Sequence, residues 1–321
     1  MDTCSSPGLI GFSPLGINFT LMNVKSIALF TGKVFLLTIL LVFFFILGAF
    51  LSGLSEPAAG AEPTPSEAGS MMGALLISSL LQAIILSIII LRSREAGWKL
   101  TGAVFLAFYG SMAVIPQVES VVYLQSQLPP GMVPKILVMG AIVAALFSLS
   151  GVFILGKMRR GGAVETAKGR SAISISEWGW KLMLIVIAYL ILYYTFGYYV
   201  AWKNPAVQTY YGGSDPGSFL AQLSDIWVST PWMFPFQALR ALLWVLLVLP
   251  IIRMLKGKPW EIGLLMALFF AVWSTQLWMP NPYMPAEVAR IHFVETVSSN
   301  FIFGGLVGWL LSRRYPISGK R

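Results

Sequence analysis

The sequence predicts an all-α fold: a polytopic integral membrane helical bundle of about eight transmembrane helices with both termini cytoplasmic. Three observations carry that prediction. Of 321 residues, 57% are hydrophobic and 11% charged, with a mean hydropathy of +0.77, where a soluble domain carries about a quarter charged residues. Long apolar runs recur along the chain, most of them long enough to cross a hydrocarbon core of about 30 Å at about 1.5 Å per residue. The basic residues, finally, crowd into alternate connections.

Residues 1–33 read as an N-terminal cytoplasmic segment, weakly apolar and broken by Pro7 and Pro14. Met22 precedes Asn23, Val24, Lys25 and the first long apolar run, the pattern of a usual bacterial start, so translation from Met22 is an alternative. The first span, Val34–Leu54, follows Lys25 and Lys33. A secretory h-region has about 7–15 residues, and this longer run reads as a retained anchor. The alternative is a signal peptide cleaved at Ala59-Gly60-Ala61. Residues 55–70, rich in Pro, Ala and Gly, form an irregular solvated connector.

Seven further runs follow: Met71–Leu91, Trp98–Ile115, Ile136–Leu155, Trp180–Trp202, Phe236–Ile252, Trp260–Met279 and Val288–Leu311. The shorter third and sixth reach the interface through aromatic or basic residues at their ends. The transmembrane domain occupies 34–314, and 315–321 is a cytoplasmic tail.

Orientation follows from the 22 Lys and Arg residues. One set of connections holds Lys25, Lys33, Arg92, Arg94, Lys99, Lys157, Arg159, Arg160, Lys168, Arg170, Lys181, Arg253, Lys256, Lys258, Arg313, Arg314, Lys320 and Arg321. The other side has Lys135, Lys203, Arg240 and Arg290. The positive-inside rule therefore places both termini in the cytoplasm. The formal charge of +9 reads as a topology signal and a contact for anionic membrane lipids. It does not read as a nucleic-acid surface.

Three spans open alike. Glu95-Ala-Gly-Trp98-Lys-Leu begins the third, Glu177-Trp-Gly-Trp180-Lys-Leu the fifth and Pro259-Trp260-Glu261 the seventh. A parallel duplication gives this spacing, and so does the ordinary recurrence of Trp and Lys at cytoplasmic helix ends. In the outer connection 203–235, Ser214-Asp215-Pro216 supplies a cap and a first-turn proline. Phe219, Leu223, Ile226 and Trp227 then share one side of a short amphipathic helix on the outer membrane surface.

The residues able to carry chemistry cluster toward the outer side. His292, Glu295, Thr296 and Ser299 form one polar stripe on the last span, and an intramembrane carboxylate is costly unless it faces protein or water. Arg240 lies one turn inside the sixth span, with Gln237 and Trp244 at helical spacing. An unpaired charge at that depth costs several kcal/mol, so an Arg240–Glu295 ion pair is expected, with His292 and Asp225 as alternative neighbours. The candidate binding cluster is Arg240, Glu295, His292, Ser299, Asp225 and Gln237. Gln82 lies mid-span in the second helix, and Ser274, Thr275 and Gln276 in the outer half of the seventh. Gly304 and Gly308, roughly opposite the stripe, allow a close helix approach.

Cys4 is the sole cysteine and His292 the sole histidine, which excludes intramolecular disulfides, thiolate clusters and His-rich metal sites. HExxH, GxSxG, Walker and dinucleotide signatures are all missing. No cofactor is expected. His292-x-x-Glu295 has ligand spacing, but a metal would need further donors such as Asp225, Glu287 or Glu119. Three functions remain: a carrier of a small molecule or ion, a non-catalytic membrane subunit or scaffold, and an intramembrane enzyme acting on lipid or peptide.

At YYVAWKNPAVQTYYGG (198–213), SDPGSFLAQL (214–223), LWMPNPYMP (277–285) and ETVSSNFIFGGLVGWLLSRR (295–314), the sequence resembles a family of uncharacterised bacterial polytopic membrane proteins. The resemblance runs from Trp180 onward. It implies a bacterial cytoplasmic membrane and carries no activity or site residues.

Overall fold

The structure, a computed structural model, describes residues 24–54, 64–124, 127–159 and 174–313. The candidate start at Met22, the Ala59–Ala61 cleavage site and the 315–321 tail lie outside them. The described residues form eleven α-helices: α1 Val24–Ser52, α2 Pro65–Arg92, α3 Gly97–Tyr109, α4 Ile115–Tyr123, α5 Met132–Ile154, α6 Ile175–Phe196, α7 Pro205–Tyr211, α8 Phe219–Ser229, α9 Met233–Met254, α10 Pro259–Val272 and α11 Ala286–Ser312. A π-helical turn at Gly110–Val114 fuses α3 to α4, and another at Gly197–Trp202 extends α6. A 3₁₀ turn at Trp273–Trp278 ends α10. The result is eight helical segments long and apolar enough to cross a membrane, which point to a multi-pass membrane protein. Large apolar side chains on the outward faces agree with lipid contact, among them Phe35, Phe50, Phe153, Leu239 and Leu246.

Three boundaries differ from the sequence reading for local chemical reasons. α1 begins at Val24, so Lys25 and Lys33 lie within its first turns and not in a separate segment. α2 begins at Pro65, before Met71, because Thr64 and Glu67 form a capping box with proline at the first helical position. α6 begins at Ile175, before Trp180, because the Ser174 side chain accepts from the Glu177 N–H. The paired Glu-Trp-Lys openings have one physical basis: Glu95–Lys99 and Glu177–Lys181 are i,i+4 ion pairs at 2.7 and 2.6 Å. Their surroundings differ, since Lys99 is exposed while Lys181 is fully buried and donates to the Arg313 carbonyl at 2.6 Å.

The basic connections meet at one end of the bundle. Ser93 and Leu255 form an antiparallel bridge, flanked by Arg94 N–H to Met254 O and Lys256 N–H to Arg92 O at 2.8 and 2.9 Å. Arg92 pairs with Glu261 of α10 and donates to the Lys256 carbonyl. Lys157, after α5, donates to the Ser93 carbonyl at 2.9 Å. Burial there lowers the Lys157 pKa, and Lys256 lowers it further. Gly257, at φ +125°, leaves room for the Arg92 guanidinium where a Cβ would collide.

The core is aromatic. Phe108 meets Phe147 edge-on and stacks on Trp273, Phe270 stacks on Trp244, and Phe303 packs against both Phe270 and Tyr189. The segment 259–278 is the most buried of the eight. α11 packs on it through glycine: a Cβ on Gly304 would lie 2.5 Å from the Met266 carbonyl, and one on Gly308 2.8 Å from the Met266 side chain. The two backbones approach this closely because nothing stands between them. α11 also meets α6, α7 and α9, yet Val294, Phe301 and Ile302 stay exposed, so it is packed on two faces without being central.

Gly304→Leu is expected to destabilise the bundle by about 1–3 kcal/mol through overpacking, read as a lower thermal midpoint in detergent. Gly305→Ala, whose Cβ would make ordinary contacts with Ala267 Cβ at 3.5 Å and the Gly263 carbonyl at 3.9 Å, should leave that midpoint nearly unchanged.

Candidate functional site

Arg240 and Glu295 do not pair. Arg240 Nη2 instead donates to Glu119 Oε2 at 2.5 Å, joining α9 to α4. Glu295 Oε2 lies 2.7 Å from His292 Nδ1, one turn earlier on α11. The reason is rotational. Gly304 sits nine residues beyond Glu295, half a turn around the helix at about 100° per residue. With Gly304 pinned on α10, Glu295 points the other way, toward Gly197 of the π turn after α6, where a Cβ would lie 3.7 Å from Glu295 Oε1.

Gln237 is the hub. It is fully buried; its Oε1 faces Arg240 Nη1 and the Tyr189 hydroxyl, both at 3.5 Å, and its Nε2 donates to Tyr123 OH at 3.2 Å. The Tyr193 hydroxyl continues the chain to Tyr123 at 3.3 Å. Three spans thus contribute to one polar network: α4 with Glu119 and Tyr123, α6 with Tyr189 and Tyr193, and α9 with Gln237 and Arg240. The His292–Glu295 pair of α11 is a separate group, bonded to Tyr211 of α7. Both lie toward the end opposite the basic connections. Side-chain exposure grades from 10% at Arg240 through 15% at Glu295 and 17% at His292 to 35% at Glu119, so Glu119 lies at the open edge of the group. Arg240 Nε and Gln117 Oε1 are buried without a hydrogen-bond partner among the described residues.

A second feature closes the His292–Glu295 group at its rim. His292 Nε2 lies 3.2 Å from the hydroxyl of Tyr211, on α7. Burial pushes the Tyr211 phenol above its usual range, with the charges of Glu119 and Glu295 adding to the effect. The phenol is therefore protonated at neutral pH and shares a hydrogen bond with Nε2, while Nδ1 shares one with Glu295; the ring's protonation sets the donor in the first. Carboxylate, imidazole and phenol form one relay from the interior to the rim.

The remaining predicted residues fall elsewhere. Asp225 is exposed on α8 and accepts from Ser229 Oγ at 3.2 Å, so it is no neighbour of Arg240. The Ser299 hydroxyl returns to its own helix at the Glu295 carbonyl, 2.8 Å away. No group of three or more His, Cys, Asp or Glu side chains suited to a metal occurs among the described residues.

The outer connection holds two helices where the sequence suggested one. Asn204 caps α7, with Pro205 at its first position. α8 starts at Phe219 under a Ser218 cap, and Ser214 is not the cap. Asp215 accepts from Gly217 N–H at 2.9 Å and pairs with Lys203 at 3.3 Å. α8 buries no residue and exposes Leu220, Trp227 and Val228, while Phe219 stacks on Tyr199.

Glu119, Tyr123, Tyr189, Tyr193 and Tyr211 were not among the predicted site residues. The third apolar run was ended at Ile115 because Pro116, Gln117, Glu119 and Ser120 follow. Proline has no N–H to give, and the π turn just before it carries the helix on to Tyr123. The apolar positions Val118, Val121 and Val122, with the need of an intramembrane arginine for a carboxylate, were the available signals.

No known protein family, curated protein or solved structure matches the chain. Fold and site define it as a multi-pass membrane protein with a three-span polar network and a His–Glu–Tyr group near one end.

Two measurements check this geometry. In double-mutant cycles of thermal stability, Arg240 and Glu119 should couple by about 1–3 kcal/mol, allowing for solvent at Glu119. Arg240 and Glu295 should be additive within about 0.5 kcal/mol. The Lys203–Asp215 pair should be pH-sensitive. The Gly217 N–H, then Lys203, lowers the Asp215 pKa, so its contribution holds above the usual carboxylate range and is lost as pH falls through the lowered value. Hydrogen bonding to Tyr198, then Asp215, raises the Lys203 pKa, so that contribution is lost only as pH rises through the raised value. Hydrogen exchange in 203–217, corrected for intrinsic rates, should rise at acid pH in the wild type and be elevated at neutral pH in Asp215→Asn.

Proposed function

We propose that this chain is a carrier of a small molecule or ion in a bacterial cytoplasmic membrane, with both termini inside and the polar network open to the outside. Orientation rests on the basic connections, gathered where α2, α5, α9 and α10 meet. One observation carries the function. Ionisable side chains from several spans converge beside helices that leave regular α geometry, at Gly110–Val114 and Gly197–Trp202. Irregular backbone at membrane depth is tolerated where it is buried in protein or lines a water-filled cavity, and π turns recur at functional sites. Broken spans around polar centres are a feature of carriers.

The His292–Glu295 pair also resists a purely architectural account. Both residues are on α11, so their contact ties no two helices together; its only link outward is to Tyr211. In the carrier reading, Arg240 recognises an anionic or polar group after exchanging Glu119 for it, and Glu295 takes up and releases a proton through His292 and Tyr211.

Two observations favour other readings. The Arg240–Glu119 tie between α9 and α4 suits a non-catalytic subunit, and the Glu295–His292–Tyr211 order suits an enzyme using an activated hydroxyl. A thermal-shift panel of amino acids, organic acids, sugars and nucleobases separates the three. A carrier gives a ligand that stabilises the wild type but not Arg240→Gln, and is taken up by proteoliposomes. Glu295→Gln should fold and lose that uptake. Uptake unchanged in Glu295→Gln, or no stabilising compound at all, overturns the reading; chemical conversion of the ligand points to the enzyme.

A further inference from the structure

A second set of polar groups lies within the core, apart from the network around Gln237. Gln82 of α2 is fully buried, and neither its amide oxygen nor its nitrogen has a hydrogen-bond partner among the described residues. The same holds for the hydroxyls of Ser79, Ser111 and Ser274 and the indole N–H of Trp273, each at most 5% exposed. Counted at about 1.5 Å per residue from the basic end of each helix, all five lie about 15–22 Å up, near mid-membrane depth.

Two contacts hold their helices in register. Ser78 Oγ donates to the Thr275 carbonyl at 3.0 Å, which places Ser79 level with the 3₁₀ segment carrying Trp273 and Ser274, and Gln82 one turn nearer the basic end on the same face of α2. Phe108 stacks on Trp273 with ring centroids 5.0 Å apart, bringing the π turn with Ser111 against the same segment.

A primary amide offers two donors and an acceptor with two lone pairs. Burying it unpaired is costly, and native interiors meet such demands, commonly with internal water. The groups here are uncharged and mixed. The amide and indole N–H groups disfavour a bare cation, and no positive charge is among them to hold an anion. Hydroxyls can turn to donate or accept.

We propose that Gln82, Ser79, Ser111, Trp273 and Ser274 form a second ligand site, a neutral polar site near mid-membrane depth for hydroxyl-bearing ligands. The hydroxyl comes from water or from a polyol. The site is independent of the carrier reading, and its occupancy is measured without any transport assay.

Two arms on the full-length protein in detergent test it. In X-ray radiolytic hydroxyl-radical footprinting, bound water predicts labelling of Trp273 that falls several-fold in Gln82→Leu, while labelling of the equally buried Trp244 stays constant. In thermal shift with glycerol, sorbitol and inositol, a polyol ligand predicts a larger rise in midpoint for the wild type than for Gln82→Leu. General osmolyte stabilisation cancels in that comparison. Labelling change alone assigns water, and a differential midpoint shift assigns the polyol. Trp273 labelling equal in the two proteins, with equal shifts, overturns the site. Should Gln82→Leu fail to fold, Ser79→Ala/Ser274→Ala takes its place with the same expectations.

Discussion

The contact between α10 and α11 governs the rest of the molecule. Glycine at 304 and 308 lets the α11 backbone rest on Met266 and Phe270, and in a medium as apolar as the side chains themselves such close packing is what drives helices together. Fixing one face of a helix fixes all of them. Once Gly304 faces α10, His292 and Glu295 face α6 and α7, and the carboxylate meets its own-helix imidazole in place of the arginine on α9. The location of the His292–Glu295 group is thus a consequence of two missing side chains half a turn away.

The ionisable residues then arrange themselves by cost. An arginine in a low-dielectric bundle must find a carboxylate, and the one within reach of Arg240 lies on α4, beyond a proline that seems in sequence to end the span. The π turn at 110–114 reconciles these demands by carrying the helix past Pro116 so that Glu119 and Tyr123 arrive opposite Arg240 and Gln237. The second π turn brings Gly197 beside Glu295. The second therefore abuts Glu295, while the first is buried against α5 and α9, so that protein groups and not lipid surround its backbone.

At the other end, backbone does the joining. The bridge of Ser93 to Leu255, with Arg92 reaching both Glu261 and the Lys256 carbonyl, ties α2, α9 and α10 to one another. Lys157 adds the end of α5. One end is cross-linked by short polar contacts, while the other is closed by longer side chains and a folded connection.

Composition and period determined the class of fold, the eight spans and the clustering of basic residues, because lipid imposes a length and an apolarity that each helix must meet by itself. They also marked Arg240, Gln237, His292 and Glu295 as residues a bilayer would not tolerate unpaired. Who pairs with whom was decided only in three dimensions. Depth along a helix can be counted from sequence, but rotation about its axis is set by neighbours, so Glu119 displaced Glu295, and Asp225 fell outside on α8. The capping box at Thr64 and the side-chain cap at Ser174 were legible and local; the π turns, Tyr211 over His292 and the buried face of Gln82 were not, since each exists only because another helix lies against it.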